Sequence, residues 1–97
     1  MRRLLLCTDL DRTLLPNGSE PESPGAREAF ARLASRPEVR VVYVTGRDPG
    51  LVGEALATWG VPVPDVLIAD VGTTIASLDA GSWVRWRSWD ETIAPDW

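Results

Sequence analysis

Residues 4–13 read Leu4-Leu5-Leu6-Cys7-Thr8-Asp9-Leu10-Asp11-Arg12-Thr13, an apolar run that stops at two carboxylates set two positions apart. Leu4 to Cys7 shows no polar alternation, which is how a short strand covered on both faces reads. Acids placed directly after such a strand are costly to desolvate unless a cation or hydrogen-bond donors stabilise them. Aspartate is common after strands for its turn geometry alone. Polar groups at three alternate positions, Asp9, Asp11 and Thr13, with a flexible stretch behind them, point instead to a site. Magnesium, a hard cation that takes oxygen ligands and keeps several waters, would meet the need.

The rest of the chain supplies the frame around that strand. Pro16 to Gly25 is rich in Pro, Gly and Ser and reads as loop, one that could cover a site or simply connect elements. Ser23-Pro24 has the form of an N-cap followed by proline at the first helical position. Ala26, Ala29, Phe30, Leu33 and Ala34 then form one stripe of an amphipathic helix, which Pro37 stops. Val39 to Val44 is a second strand, ending at Thr45-Gly46-Arg47. Asp48-Pro49 repeats the cap-plus-proline signature, Leu51, Val52, Ala55, Leu56 and Trp59 make a second stripe, and Gly60 suits the helix end. Val66 to Ala69 is a third apolar strand. The order β-α-β-α-β predicts a Rossmann-like α/β fold, a parallel sheet with helices in three layers, α/β/α. After residue 72 the pattern changes. Thr73 to Leu78 and Trp83 to Arg87 flank Asp79-Ala80-Gly81-Ser82, a hairpin with a four-residue turn. Ser88 to Trp97 is expected to hold a short helix capped by Ser88 or Asp90.

Ligands of parallel sheets bind at the carboxyl ends of the strands. Those ends carry Asp9/Asp11/Thr13, Thr45/Gly46/Arg47 and Asp70/Gly72. A carboxylate beside a cation can attack phosphorus and form an aspartyl-phosphate, and a second carboxylate can protonate the leaving oxygen and later activate water. The Thr45 hydroxyl, neighbouring backbone N–H groups including that of Gly46, and Arg47 would hold the phosphoryl oxygens, aided by the dipole of the helix beginning near Asp48. Arg47 is equally able to pair with a nearby carboxylate. Asp70 reads as a strand-end cap or a substrate-side residue.

Composition removes competing classes. The 97 residues include no His and carry a net charge of −4, with all ten basic residues arginine. Without imidazole there is no Ser-His-Asp triad and no His-based transition-metal site. An acidic chain has no general attraction to nucleic acid or to an anionic membrane. The single cysteine excludes an internal disulfide and fits a reducing compartment, so a cytoplasmic location is expected. Lying within a buried strand, Cys7 is expected to be an inert core thiol. Leu4 to Cys7 is too short for a signal-peptide core, and no stretch reaches transmembrane length.

At these residues the chain resembles the haloacid-dehalogenase (HAD) superfamily. LLLCTDLDRTLL is similar to that family's first motif, DxDxT after an apolar strand, at Asp9, Asp11 and Thr13; VVYVTGR is similar to its second, at Thr45. The resemblance implies a magnesium-dependent phosphohydrolase with Asp9 as nucleophile, Asp11 as acid/base and Thr45 on the phosphate. It also implies a metal held by the Asp9 carboxylate and the Asp11 carbonyl. PDVLIADVGTTI together with TGR is similar to the sucrose-phosphatase-like branch, which implies a small phosphorylated sugar or polyol as substrate. That family draws a basic residue from a third motif and acids from a fourth. This sequence has no lysine, and Asp90-Glu91 follows no apolar strand. The expectation is therefore that residues 1–97 form the N-terminal part of a HAD core, with about 72–97 leading toward a cap, and show little activity alone. In that family the first strand lies mid-sheet, so here it should stand at an uncovered edge.

Other readings remain beside this one. A receiver-like regulatory module also places acids after its first strand and an acceptor aspartate after its third, where Asp70 sits. A HAD domain could also bind phosphate without turnover. Four of the five tryptophans lie in the last 15 residues, as packing residues or as a stacking surface for sugar.

Overall fold

The computed structural model describes residues 3–11, 14–15, 24–79 and 81–96. Thr13, Ser23, most of the 16–25 loop and Trp97 lie outside them. β1 (Leu4–Asp9), α1 (Ala26–Ala34), β2 (Val39–Val44), α2 (Pro49–Trp59) and β3 (Val66–Ala69) follow in the expected order. β4 (Thr74–Asp79), β5 (Ser82–Arg85) and α3 (Arg87–Ile93) come next, with short 3-10 turns at Asp70–Gly72 and Ala94–Asp96. The five strands form one sheet in the order β1-β2-β3-β4-β5. β1, β2 and β3 are parallel, with Leu6 opposite Val41 and Tyr43 opposite Leu67. β4 and β5 are added antiparallel.

Alternation along β2 assigns the faces. Val39, Val41 and Tyr43 share a core with Val52, Ala55 and Leu56 of α2, and Phe30, Leu33 and Ala34 of α1 pack against that core. Both helices therefore cover the same face. This follows from two successive right-handed crossovers that advance the sheet in one direction. The opposite face carries Leu5, Cys7 and Val44, all exposed, and the buried Val42. The layer that would complete an α/β/α sandwich there is not among the described residues.

Two polar ties fix β3 beside β2. Asp65 accepts from the Val41 N–H at 2.8 Å, and its own N–H donates to the Val41 carbonyl at 2.9 Å. The Tyr43 hydroxyl donates to the Pro62 carbonyl at 2.5 Å.

α2 begins and ends as its sequence signals predict. Asp48 accepts from the Leu51 N–H at 2.9 Å, Pro49 occupies the first turn, and Gly60 ends the helix at φ 65. Elsewhere the boundaries move. α1 starts at Ala26, with Gly25 before it at φ 74 and no side-chain cap. A left-handed residue cannot belong to a right-handed helix, so Pro24 is excluded from its first turn. Asp79 pairs with Ser82, leaving two residues to turn rather than four. Gly81 at φ 83 supplies the backbone that so tight a hairpin requires. α3 is preceded by Trp86 without a side-chain cap, and Asp90 instead pairs with Arg85 at 3.0 Å. Trp86 sets where that helix begins: its N–H bonds the Ile75 carbonyl at 2.7 Å and its indole N–H the Ser77 hydroxyl at 2.7 Å. Cys7 is exposed rather than buried, lying on the outermost strand of the sheet with a neighbouring strand on one side only among the described residues.

Among the described residues β1 stands at the sheet edge, with Leu4 45% and Leu5 62% exposed. An apolar, unpaired edge of this kind is a template for pairing with another chain. The 97-residue chain by itself should self-associate, and Leu5→Lys should shift it toward monomer in sedimentation velocity. A wild-type chain that stays monomeric across the micromolar range would contradict this.

Candidate functional site

The carboxyl ends of β1, β2 and β3 lie side by side, and each contributes polar groups. Asp9, the last residue of β1, pairs in register with Val44, so it sits at the strand end beside Thr45. Its Oδ1 accepts from the Leu10 N–H at 2.9 Å. Leu10 and Leu15 are wholly buried and joined by the Leu15 N–H to Leu10 carbonyl bond at 2.8 Å. These two leucines anchor the chain on either side of Asp11 to the core.

Asp11 meets the loop after β2. Arg47 Nε lies 3.0 Å from Asp11 Oδ2, and Nη2 lies 2.7 Å from Oδ1. This fork-to-fork contact is geometrically restrictive in a way a lysine could not reproduce. The hydrogen bond to Asp11, ahead of the smaller attraction of its charge, raises the Arg47 guanidinium above its ordinary range, so it stays cationic. Of the two uses open to Arg47, the geometry shows the carboxylate pair.

Thr45 is buried, its N–H on the Ile68 carbonyl at 2.8 Å. Its hydroxyl accepts from the Arg47 N–H at 3.1 Å, which leaves the hydroxyl proton for another acceptor. Gly46 follows in the same turn. The first turn of α2 is already met by the Asp48 carboxylate. An incoming anion would therefore find negative charge at that helix end rather than an open dipole.

From the third strand end, Asp70 turns back on its own chain, accepting from the Thr74 hydroxyl at 2.8 Å. It is a strand-end cap. Its N–H donates to the Arg47 carbonyl at 2.9 Å, and the Val71 N–H donates to the Thr45 carbonyl at 3.3 Å. The β3–β4 turn is thus bonded to the Thr45–Arg47 loop twice. Asp70, Val71 and Gly72 all have positive φ, at 51, 57 and 90. For the two non-glycine residues this costs about 1–2 kcal/mol each. Nothing in the sequence signals it, since Gly72 marks only the last of the three.

Asp9, Asp11, Thr45, Gly46 and Arg47 are therefore carried by two adjacent strand ends, with Asp11 and Arg47 in direct contact. Thr13 is outside the described residues. Among the described residues no three His, Cys, Asp or Glu side chains cluster as metal ligands. The donors that Asp9 and the Asp11 main chain offer are oxygens, the type magnesium takes. No helix among the described residues is long and apolar enough to cross a membrane.

The sequence profile of sucrose-6F-phosphate phosphohydrolase matches residues 2–97. A Nitrosococcus oceani protein described as a HAD-like hydrolase is 47% identical over 96 residues, covering 99% of this chain and 26% of that protein. The sucrose-phosphatase of Synechocystis, solved with sucrose and phosphate, superposes with a TM-score of 0.76 at 24% identity, over 100% of this chain and 36% of that one. A HAD-like hydrolase of Bacillus subtilis gives a TM-score of 0.75 at 15% identity, over 99% and 41%. The chain thus spans roughly a quarter to two fifths of the length of these relatives.

Proposed function

Since the chain belongs to the sucrose-6F-phosphate phosphohydrolase family, we propose that the protein hydrolyses phosphomonoesters of small sugars or polyols through an aspartyl-phosphate. The observation that carries this reading is the pairing of Arg47 with Asp11 beside Asp9 and Thr45 at two adjacent strand ends.

An Asp9 carboxylate oxygen attacks phosphorus, forming an O–P bond as the bond to the sugar oxygen breaks. Protonated Asp11 gives its proton to that departing oxygen, so the alcohol leaves neutral. Asp11, now a carboxylate, takes a proton from water as the water oxygen attacks phosphorus. The Asp9–phosphorus bond breaks, and inorganic phosphate and a free Asp9 result. The Thr45 hydroxyl and the N–H groups around Gly46 donate to the phosphoryl oxygens through both steps. Arg47 acts in two places: it orients the Asp11 carboxylate, and an incoming phosphoryl group competes for the same guanidinium, which would release Asp11 to take up from solvent the proton it passes to the leaving oxygen. Thr13 is assigned to phosphate by its place in the motif.

Magnesium would be held by the Asp9 carboxylate and the Asp11 main-chain carbonyl, and when bound offsets negative charge on the phosphoryl oxygens. The Asp11 carboxylate, engaged by Arg47, favours the carbonyl as that residue's ligand.

The test is phosphate release from a panel of hexose, disaccharide and polyol phosphates by the full-length protein, with and without EDTA. Release that needs magnesium and favours sugar phosphates is expected. Release from no member of the panel, or release indifferent to EDTA, would overturn the assignment. The 97-residue chain should release far less, because it has no lysine to supply the basic group found elsewhere in HAD cores.

A further inference from the structure

The β3–β4 turn is not what a hairpin of its length requires. Ala69 pairs with Thr74, so residues 70–73 make the connection. Four-residue connections are ordinarily built around a type I turn, with no run of positive φ. Here three successive residues are left-handed, and the middle one is a valine, a β-branched residue for which this region is a genuine outlier. Burial does not compensate, because Val71 is 83% exposed. Neither local preference nor the hydrophobic core accounts for valine at this place. Strain of this kind concentrates where a protein holds a ligand.

Its position is specific. The Val71 N–H is on the Thr45 carbonyl at 3.3 Å, and a Cγ lies 3.8 Å from where a Gly46 Cβ would stand. Asp70 is fastened on both sides, to Arg47 through its N–H and to Thr74 through its carboxylate, and the Thr73 hydroxyl donates to the Asp70 carbonyl at 2.9 Å. The turn is thereby pinned against the Thr45–Arg47 loop, with an isopropyl group set in solvent beside it.

We infer that Val71 is a specificity residue, the apolar contact for the carbon skeleton of the group that leaves the phosphate. This rests on the phosphatase reading above. Sugars and polyols present C–H surfaces as well as hydroxyls, and a branched aliphatic side chain next to the phosphoryl site would pack on the former. The strained turn fixes that side chain at low entropic cost, because its backbone is already immobilised.

The experiment compares wild type, Val71→Gly and Val71→Asn in the full-length protein, measuring KM for the best sugar phosphate and Ki for inorganic phosphate. Glycine relieves the strain; asparagine tolerates the left-handed region but removes the apolar surface. In both variants KM should rise about tenfold while Ki for inorganic phosphate, which has no carbon skeleton, stays unchanged. Val71→Gly should also raise Tm by a few degrees, about 2–4 °C. A KM unchanged in both variants overturns the inference. So does a parallel rise in KM and Ki, which would make Val71 a support of the phosphate loop only. A wild-type protein with no phosphatase activity would overturn the underlying reading, and this one with it, before any variant is compared.

Discussion

Asp9→Asn in the full-length protein should lower kcat for sugar-phosphate hydrolysis by about 10⁴-fold or more, the scale on which losing a covalent nucleophile is felt. The substitution keeps shape and removes charge. Asparagine Oδ1 can still accept the Leu10 N–H that Asp9 holds at 2.9 Å, and the position is exposed, so Tm should hardly change. The paired readout is a hydroxylamine-sensitive phosphoryl adduct, formed by wild type on rapid quenching and missing from Asp9→Asn. Activity surviving within tenfold, or an adduct mapped to Asp70, would remove Asp9 from the mechanism. The second result would revive the receiver-like alternative. Asp70 is poorly placed for that role, because its carboxylate accepts the Thr74 hydroxyl and its backbone caps the strand.

The largest expected effect on stability is at Tyr43. This residue is wholly buried near the carboxyl end of β2, its ring centroid 6.4 Å from that of Phe30 and its hydroxyl on the Pro62 carbonyl. Tyr43→Ala should cost about 3–5 kcal/mol, a large part of the total available to a domain of this size. Tyr43→Phe leaves the Pro62 carbonyl without its donor and should cost about 1–2 kcal/mol. Urea denaturation followed by circular dichroism separates the two; equal midpoints would contradict the packing described.

A pH effect accompanies it. Burial pushes the Tyr43 phenol well above its ordinary value of 10.0. The folded state therefore holds the phenol proton more tightly than the unfolded state does. That contribution is complete below pH 10 and is lost as pH rises through and beyond it. Tyr43→Phe should abolish this share of alkaline destabilisation. Tyr43 is the one tyrosine of the sequence, so phenolate absorbance reports it alone.

Where the sequence was easily read, the signals were local. Asp48-Pro49 and Gly60 bound α2 because a cap carboxylate, a proline and a left-handed glycine act within a few residues. The apolar runs became strands for the same reason. At α1 and α3 the same signatures misled. Gly25 adopts a left-handed backbone after Pro24, and Asp90 is drawn to Arg85 instead of capping its helix. Cys7 lies in a strand that reads as covered on both sides, yet it is exposed. Cover on a sheet face comes from elements distant in the chain, and no periodicity within the strand records whether they are present.

The sequence by itself determined the order of elements, the parallel pairing that crossovers impose, and the identity of the groups at the strand ends: Asp9, Asp11, Thr45, Gly46 and Arg47. Each depends on neighbours along the chain or on a general rule of handedness. Only the tertiary structure decided that Arg47 clasps Asp11, 36 residues away. It alone revealed that α1 and α2 cover one face and that Asp70 and Val71 bend left-handed against the Thr45 loop. Those features arise from backbones brought together by sheet register, and register is a relation between segments that no single segment encodes.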